Sequence, residues 1–292
     1  MILIDGKKIA AEIKEEIKNK IITLVNEGKN IPGLVTILVG DDPGSQIYVN
    51  NKGKACKEVG MRSVTEKLSA DTSEQELLDL ISSYNNNKDY HGILVQLPLP
   101  KHIDEDKIIE AVSSNKDVDG FHPINIGNLV LGKDTFVSCT PAGIQELLKR
   151  YNIETSGKHV VVLGRSNIVG KPIAILLMQK KRYANAVVTI CHSAANDLGQ
   201  FTRTADILIA AIGKPEFVKD DMVKEGVVVI DVGINRIMDD THPNGSRVVG
   251  DVDFPNVSKK ASYITPVPGG VGLITIAMLL KNTYKAYLKY GG

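Results

Sequence analysis

Tyr48 and Lys52 stand four residues apart in GSQIYVNNKGKACKEVG. In a helix that spacing sets a phenol and an amine on one face, aimed at the same point. This pair is the expected seat of the chemistry. A second segment, GRSNIVGKP at 164–172, follows the apolar run HVVVL directly. That is the pattern of a strand turning through a glycine loop into a helix, an arrangement that binds phosphates. Together the two segments imply a dinucleotide-dependent enzyme whose substrate lies beside an activated lysine.

The glycine loop matches the dinucleotide fingerprint GxGxxG only in part: the same register reads Gly164, Ser166 and Val169, with Gly170 one step later. What survives is a glycine for the tight turn after a strand and backbone N–H groups at a helix N-terminus. Gly170-Lys171 resembles the end of a Walker motif. That reading fails twice, because five residues rather than four separate the glycines and Pro172 stands where the metal-binding Ser/Thr belongs. A purely structural turn remains the plain alternative. NAD sites place an acidic residue at the end of the second strand, whereas NADP sites need cationic or hydroxyl donors. Here AVVTIC runs into His192-Ser193 with no carboxylate until Asp197, and Arg165 lies in the loop itself. An arginine can fork onto a phosphate, so NADP is the expected cofactor; the alternative is that Arg165 is a solvated loop residue.

The elements needed to hold these residues are legible as an α/β pattern. Ile9, Ile13, Ile17, Ile21 and Leu24 recur at helical spacing and stop at Gly28. GLVTILVG reads as a buried strand, Ser45 as the cap of a helix running towards Gly60, Ser73 with Glu76 as a capping box, and HGILVQL as a second strand. A second alternating block starts near Thr140-Pro141, read as N-cap and first helical residue. HVVVLG, AVVTIC, DILIAA and GVVVIDVG then read as four strands, and GVGLITIAMLLKNTYKAYLKY as a long terminal helix. Two α/β domains are therefore expected: 1–139, on which the C-terminal helix at about 273–292 packs back, and 140–272, a Rossmann-like nucleotide domain. A cleft between them is the expected ligand site.

Composition bounds the partners. The chain has 292 residues, 43% hydrophobic and 24% charged, enough for two ordinary cores, and a formal net charge of +1 argues against a general nucleic-acid binder. Cys56, Cys139 and Cys191 are odd in number and widely spaced, which indicates neither a disulfide framework nor a zinc site. The histidines His91, His102, His122, His159, His192 and His242 show no zinc-ligand spacing. No apolar h-region or bilayer-length stretch occurs, so a cytosolic protein without membrane partners is expected.

A lone helical lysine is ordinarily solvated, a helical tyrosine is more often core than catalytic, and VQLPLP around Gln96 could be only a strand ending in a turn. Ordered motifs across the chain raise these residues above that reading: YVNNKGKACKEVG at 48–60, GILVQLPLP at 92–100, KDVDGFHP at 116–123, CTPAG at 139–143, GRSNIVGKP at 164–172, CHS at 191–193, DVGIN at 231–235 and PVPGGVG at 266–272. On these the chain resembles the bifunctional methylenetetrahydrofolate dehydrogenase/methenyltetrahydrofolate cyclohydrolase family over essentially its whole length. The resemblance implies that Lys52 is the general acid/base, that Tyr48 orients the folate, that Gln96 contacts Lys52 and the folate ring, and that Asp119 accepts from the amino-pyrimidine edge of the pterin. It implies further that Gly164, Arg165 and Ser166 line the phosphate loop, Ser193 joins Arg165 near the 2′-phosphate, Ile234 packs near the cofactor, and the backbone of Pro266, Gly269 and Gly270 approaches the ligands. It also implies a homodimer. The sequence departs from the family pattern at Leu273, where proline is usual, and at Gly44, where alanine is common.

The implied chemistry is oxidation of 5,10-methylenetetrahydrofolate by NADP+ to the methenyl cation, then hydrolysis to 10-formyltetrahydrofolate. A lysine serves the second step only if burial or a positive neighbour lowers its pKa. Two rival readings remain at this level. One is a shikimate-type NADP-linked dehydrogenase, which also has two α/β halves and a catalytic Lys and Asp. The other is a nucleotide-sensing or scaffolding protein that kept the fold without the chemistry.

Overall fold

The computed structural model describes residues 1–239 and 245–291; His242 lies outside them. The chain opens with strand β1 (Ile2–Leu3) and helix α1 (Gly6–Asn26), followed by β2 (Gly33–Val39), α2 (Pro43–Val59), β3 (Arg62–Leu68), α3 (Glu74–Asn86) and β4 (Gly92–Val95). Two short helices, α4 (Glu105–Ala111) and α5 (Pro123–Val130), lead to α6 (Cys139–Arg150). Then come β5 (His159–Leu163), α7 (Gly170–Met178), β6 (Val187–Cys191), α8 (Gly199–Thr202), β7 (Ile207–Ala210) and β8 (Val228–Asp231). The chain closes with β9 (Asn235–Met238), β10 (Ser246–Val249), α9 (Phe254–Val257), β11 (Tyr263–Ile264) and α10 (Val271–Tyr290).

These elements form two compact units. One holds Ala11–Cys139 and Ile276–Gly292, the other Met1–Ala10 and Thr140–Thr275. The first unit is built on a parallel three-stranded sheet in the order β3-β2-β4. All seven residues of the central β2 are buried, as expected for an apolar run covered on both faces. Helix α2 packs on β2 and β3, and α3 on β4. Val35, Ile37, Leu77, Ile81 and Ile93 lie in its core. The isoleucine stripe of α1 is buried as its spacing requires, and the Ser73–Glu76 capping box opens α3.

The second unit carries a six-stranded sheet in the order β1-β11-β8-β7-β5-β6, parallel at every pairing. Strand order reverses at β5, with β6 on one side and β7 on the other. In a doubly wound sheet, ligands bind beyond the carboxyl ends of the strands at this switch point. Val161, Leu163, Leu208, Val229 and Ile264 belong to its core.

Several local expectations need correction. The cap of α2 is Asp42, whose carboxylate accepts from the Ser45 N–H at 2.7 Å, with Pro43 opening the helix; Ser45 lies inside the first turn. Helix α6 begins at Cys139, so Thr140 and Pro141 are helical. Gly44 and Leu273, the two departures from the family pattern, lie inside helices, α2 and α10. The first ten residues group with the second half of the chain, because β1 extends its sheet along β11 and the Asp5 N–H donates to the Tyr151 hydroxyl at 2.7 Å. Strand β3 and the antiparallel pair β9–β10 are additions. β3 is an edge strand with few apolar residues, and a four-residue strand is too short for a period.

Candidate active site and nucleotide loop

In the first unit, α2 is held at both ends, by the Asp42 cap and by Gly60 in the left-handed conformation. This fixes Tyr48 and Lys52 one turn apart on the same helix; Tyr48 is half exposed and Lys52 partly buried. The Lys52 Nζ donates to Gln96 Oε1 at 2.9 Å. Gln96 follows the last residue of β4, and its N–H still donates to the Ile37 carbonyl at 2.8 Å, extending the ladder by one residue. Its Nε2 donates to the Leu97 carbonyl at 2.7 Å. With the amide nitrogen so engaged, Oε1 is the atom left to face the amine.

Asp119 completes this group. Burial lowers the Lys52 amine below the ordinary lysine value, against the pull of Asp119 and Cys139. Burial likewise raises the Asp119 carboxyl, against the opposing effect of Lys52, and nearby Asp117 adds to the rise. The Cys139 Sγ donates to the Val118 carbonyl at 3.6 Å, next to Asp119 in the chain, and burial pushes its thiol well above the usual cysteine range, so it stays protonated. Removed from water, each member of the group is shifted towards its neutral form.

The segment bearing Asp119 is fixed by residues that the sequence reading did not single out. Asp117 accepts from the N–H groups of Gly120 (3.0 Å), Phe121 (3.2 Å) and His122 (2.8 Å) and from Asn125 Nδ2 (2.8 Å). Asn282 on α10 donates to the carbonyls of Val118 (2.8 Å) and Val137 (3.0 Å). An Asp followed within three residues by Gly signals such a turn, so Asp117 was findable; Cys139 opens the CTPAG motif, and nothing local marks Asn282.

In the second unit, GRSNIVGKP spans the end of β5 and the start of α7 as expected. Gly164 lies at the switch point with φ +130°, and a methyl there would collide with the Ala211 carbonyl after β7. Only glycine meets both demands. Ser166 Oγ accepts from the N–H groups of Val169 (3.2 Å) and Gly170 (3.3 Å), bracing the loop where it enters α7. Arg165 and Ser193 are exposed, each just beyond the carboxyl end of its strand, β5 and β6. Asp197 is engaged locally, accepting from Gly199 N–H (2.8 Å) and pairing with Arg203 (3.1 Å). A 2′-phosphate fits this donor set: a cation and a hydroxyl face outward, and the carboxylate nearest in sequence after β6 is bound elsewhere.

Ile234 is exposed between β8 and β9, with its Cδ1 close against Gly272. Pro266, Gly269 and Gly270 form the turn from β11 into α10, in the same unit as Ile234. Tyr48, Lys52, Gln96 and Asp119 belong to the other unit. Among the described residues no cluster of three or more His, Cys, Asp or Glu is arranged to hold a metal ion, and no helix is long and apolar enough to cross a membrane.

A doubly wound nucleotide sheet in one unit and a partly buried Lys–Gln–Asp group in the other define the class as a dinucleotide-linked enzyme with acid/base capacity. Residues 4–119 match the catalytic domain of tetrahydrofolate dehydrogenase/cyclohydrolase, and residues 138–290 its NAD(P)-binding domain. The bifunctional protein FolD of Chlorobium phaeobacteroides is 57% identical over 99% of this chain and 98% of its own. The Campylobacter jejuni FolD dehydrogenase/cyclohydrolase structure is 52% identical, with a TM-score of 0.92 over 98% of both chains. The Trypanosoma brucei FolD structure, complexed with NADP cofactor and inhibitor, is 38% identical, with a TM-score of 0.92 over 99% of this chain and 98% of its own. The chain belongs to the tetrahydrofolate dehydrogenase/cyclohydrolase family. It is a bifunctional enzyme of one-carbon folate metabolism, oxidoreductase and hydrolase, with NADP as its cofactor. The shikimate-type alternative finds only a likeness of fold, at 15% identity and a TM-score of 0.50.

Proposed function

We propose that Lys52 is the acid/base group of the cyclohydrolase step, that Gln96 orients it, and that Tyr48 and Asp119 hold the folate. The observation that carries this is the 2.9 Å bond from a lysine of lowered pKa to Gln96. The enzyme oxidises 5,10-methylenetetrahydrofolate to the methenyl form and hydrolyses that to 10-formyltetrahydrofolate. NADP+, which Gly164, Arg165, Ser166 and Ser193 would hold, would supply the hydride acceptor for the bridge carbon. That step needs alignment and no proton transfer. Hydrolysis is different: water adds to the methenyl carbon, gives up a proton, and a ring nitrogen gains one as the C–N bond opens. An amine that burial has brought towards neutrality can accept the first proton and deliver the second. Asp119 can take two parallel donors from the amino-pyrimidine edge as a carboxylate takes them from arginine.

In the second unit, Gly164, Arg165 and Ser166 receive the pyrophosphate, Arg165 and Ser193 the 2′-phosphate, and Ile234 packs on the cofactor. Pro266, Gly269 and Gly270 approach the folate through their backbone. We place the enzyme in the cytoplasm, a reading supported by three free, buried cysteines, and assign its product to purine and amino-acid biosynthesis. A homodimer is supported by β6, an edge strand with exposed Val187 and Ile190; sedimentation at a single-chain mass would remove it. The test of function is to mix the protein with methylenetetrahydrofolate and either NAD+ or NADP+, following reduced cofactor and methenyl product together. Reduced NADP with a methenyl product that accumulates and decays no faster than in buffer, or no reduction at all, overturns the bifunctional reading.

A further inference from the structure

A pair of buried carboxylates occupies the carboxyl end of the nucleotide sheet, outside the residues assigned above. Asp251 is fully buried and Asp231, the last residue of β8, nearly so. Asp251 Oδ2 accepts from the N–H groups of Ile212 (2.8 Å) and Gly213 (2.9 Å), which follow β7. Its Oδ1 accepts from Asn235 Nδ2 at 2.9 Å. Asp231 in turn accepts from the N–H groups of Gly233 (2.9 Å), Asp251 (2.9 Å) and Val252 (3.0 Å). The Asp231 N–H donates to Thr265 Oγ1 at 2.7 Å, one residue before the PVPGGVG turn.

Burial pushes the Asp231 carboxyl up to about 7, with Asp251 adding to the rise; two carboxyl groups are costly to hold together out of water unless their oxygens are engaged, and here six hydrogen bonds engage them. Gly250 shows how closely the parts are fitted, because a methyl there would collide with the Asp231 carboxylate. The bonds reach the segment after β7, the segment carrying Gly233, Ile234 and Asn235, and the segment 250–252. Two of these begin where strands of the doubly wound sheet end, the edge where such sheets bind nucleotides.

We propose that Asp251, backed by Asp231, is a positioning residue for NADP, tying the Ile212–Gly213 backbone to the Ile234 segment so that both meet the cofactor in one fixed arrangement. The proposal rests on the assignment of Ile234 to the cofactor. Asp251 does not touch folate chemistry: acid/base work falls to Lys52, so cyclohydrolase activity serves as an internal control.

The experiment compares the wild type with Asp251→Ala and Asp251→Asn in three measurements: NADP+ affinity by calorimetry, hydrogen exchange of the Ile212 and Gly213 amides without cofactor, and both enzymatic rates. Asp251→Ala should weaken NADP+ binding by about tenfold or more, the loss expected for charge-assisted bonds, speed exchange at both amides, and leave cyclohydrolase turnover within about twofold, inside the scatter of a remote substitution. Asp251→Asn keeps an acceptor oxygen, and a turned Asn235 amide can meet its nitrogen, so this variant should recover most of the affinity. Unchanged NADP+ affinity in Asp251→Ala, or a parallel fall of both activities, overturns the proposal. Should the alanine variant not fold, Asn235→Ala removes one bond only, and wild-type NADP+ affinity there overturns it equally. A wild-type protein that binds no NADP+ in the same titration would instead overturn the cofactor assignment, and this proposal with it.

Discussion

Lys52 Nζ donates to Gln96 Oε1 at 2.9 Å, joining the middle of α2 to the end of β4 across 44 residues of chain. Gln96 is itself held through its backbone by β2 and through its Nε2 by Leu97. The amine is therefore aimed by two elements rather than carried on a free side chain, which is the condition for one group to serve as both acceptor and donor.

Lys52→Met keeps the length of the side chain and removes the amine. Cyclohydrolase turnover should fall by about 10²–10⁴-fold, the usual worth of general acid/base help, while dehydrogenase activity persists and methenyl product accumulates. The assay uses purified methenyltetrahydrofolate with buffer hydrolysis subtracted. Near-normal turnover would take Lys52 out of the mechanism.

The pH dependence follows from the same group. The lowered Lys52 pKa means that cyclohydrolase kcat/KM should rise with pH as the amine loses its proton, with a midpoint below the ordinary lysine value of 10.5. Asp119 raises that pKa, so Asp119→Asn should move the midpoint further down. An upward movement, or a profile in Lys52→Met like that of the wild type, would contradict the assignment.

Asp119→Ala should weaken folate binding and impair both activities, since both use the same pterin, while NADP+ binding stays nearly intact. Loss of a hydrogen-bonded charge costs about 1.5–3 kcal/mol. Calorimetry with each ligand separates the two effects.

Ser193→Asp puts a carboxylate where the 2′-phosphate is assigned and should lower NADP+ affinity more than NAD+ affinity, by about 1–3 kcal/mol. An equal loss for both cofactors would report a distorted loop, and an unchanged preference would withdraw Ser193 from the site.

Gly164→Ala should destabilise the protein and abolish NADP+ binding together, because the new methyl meets the Ala211 carbonyl at a backbone angle that disfavours side chains. Overpacking of this kind costs about 1–3 kcal/mol before the backbone strain is added. Thermal melting with and without NADP+ is the measurement; a wild-type Tm that still rises with NADP+ would refute the close approach.

Local chemistry alone determined much of this protein. The spacing of Tyr48 and Lys52, the valine-rich strands of the second unit, the glycine loop at 164–170 and the absence of an acid after AVVTIC are properties of short stretches, because helical and strand periods and turn chemistry act over a few residues. What only the tertiary structure decided depends on residues far apart in sequence. Strand β1 joins β11 across most of the chain, Asn282 holds the Asp119 segment from α10, and Asp251 reaches back to the turn after β7. The lowered Lys52 and raised Asp119 pKa values belong here too. Exclusion of water is a property of the packed fold, and no spacing of residues along the chain encodes it.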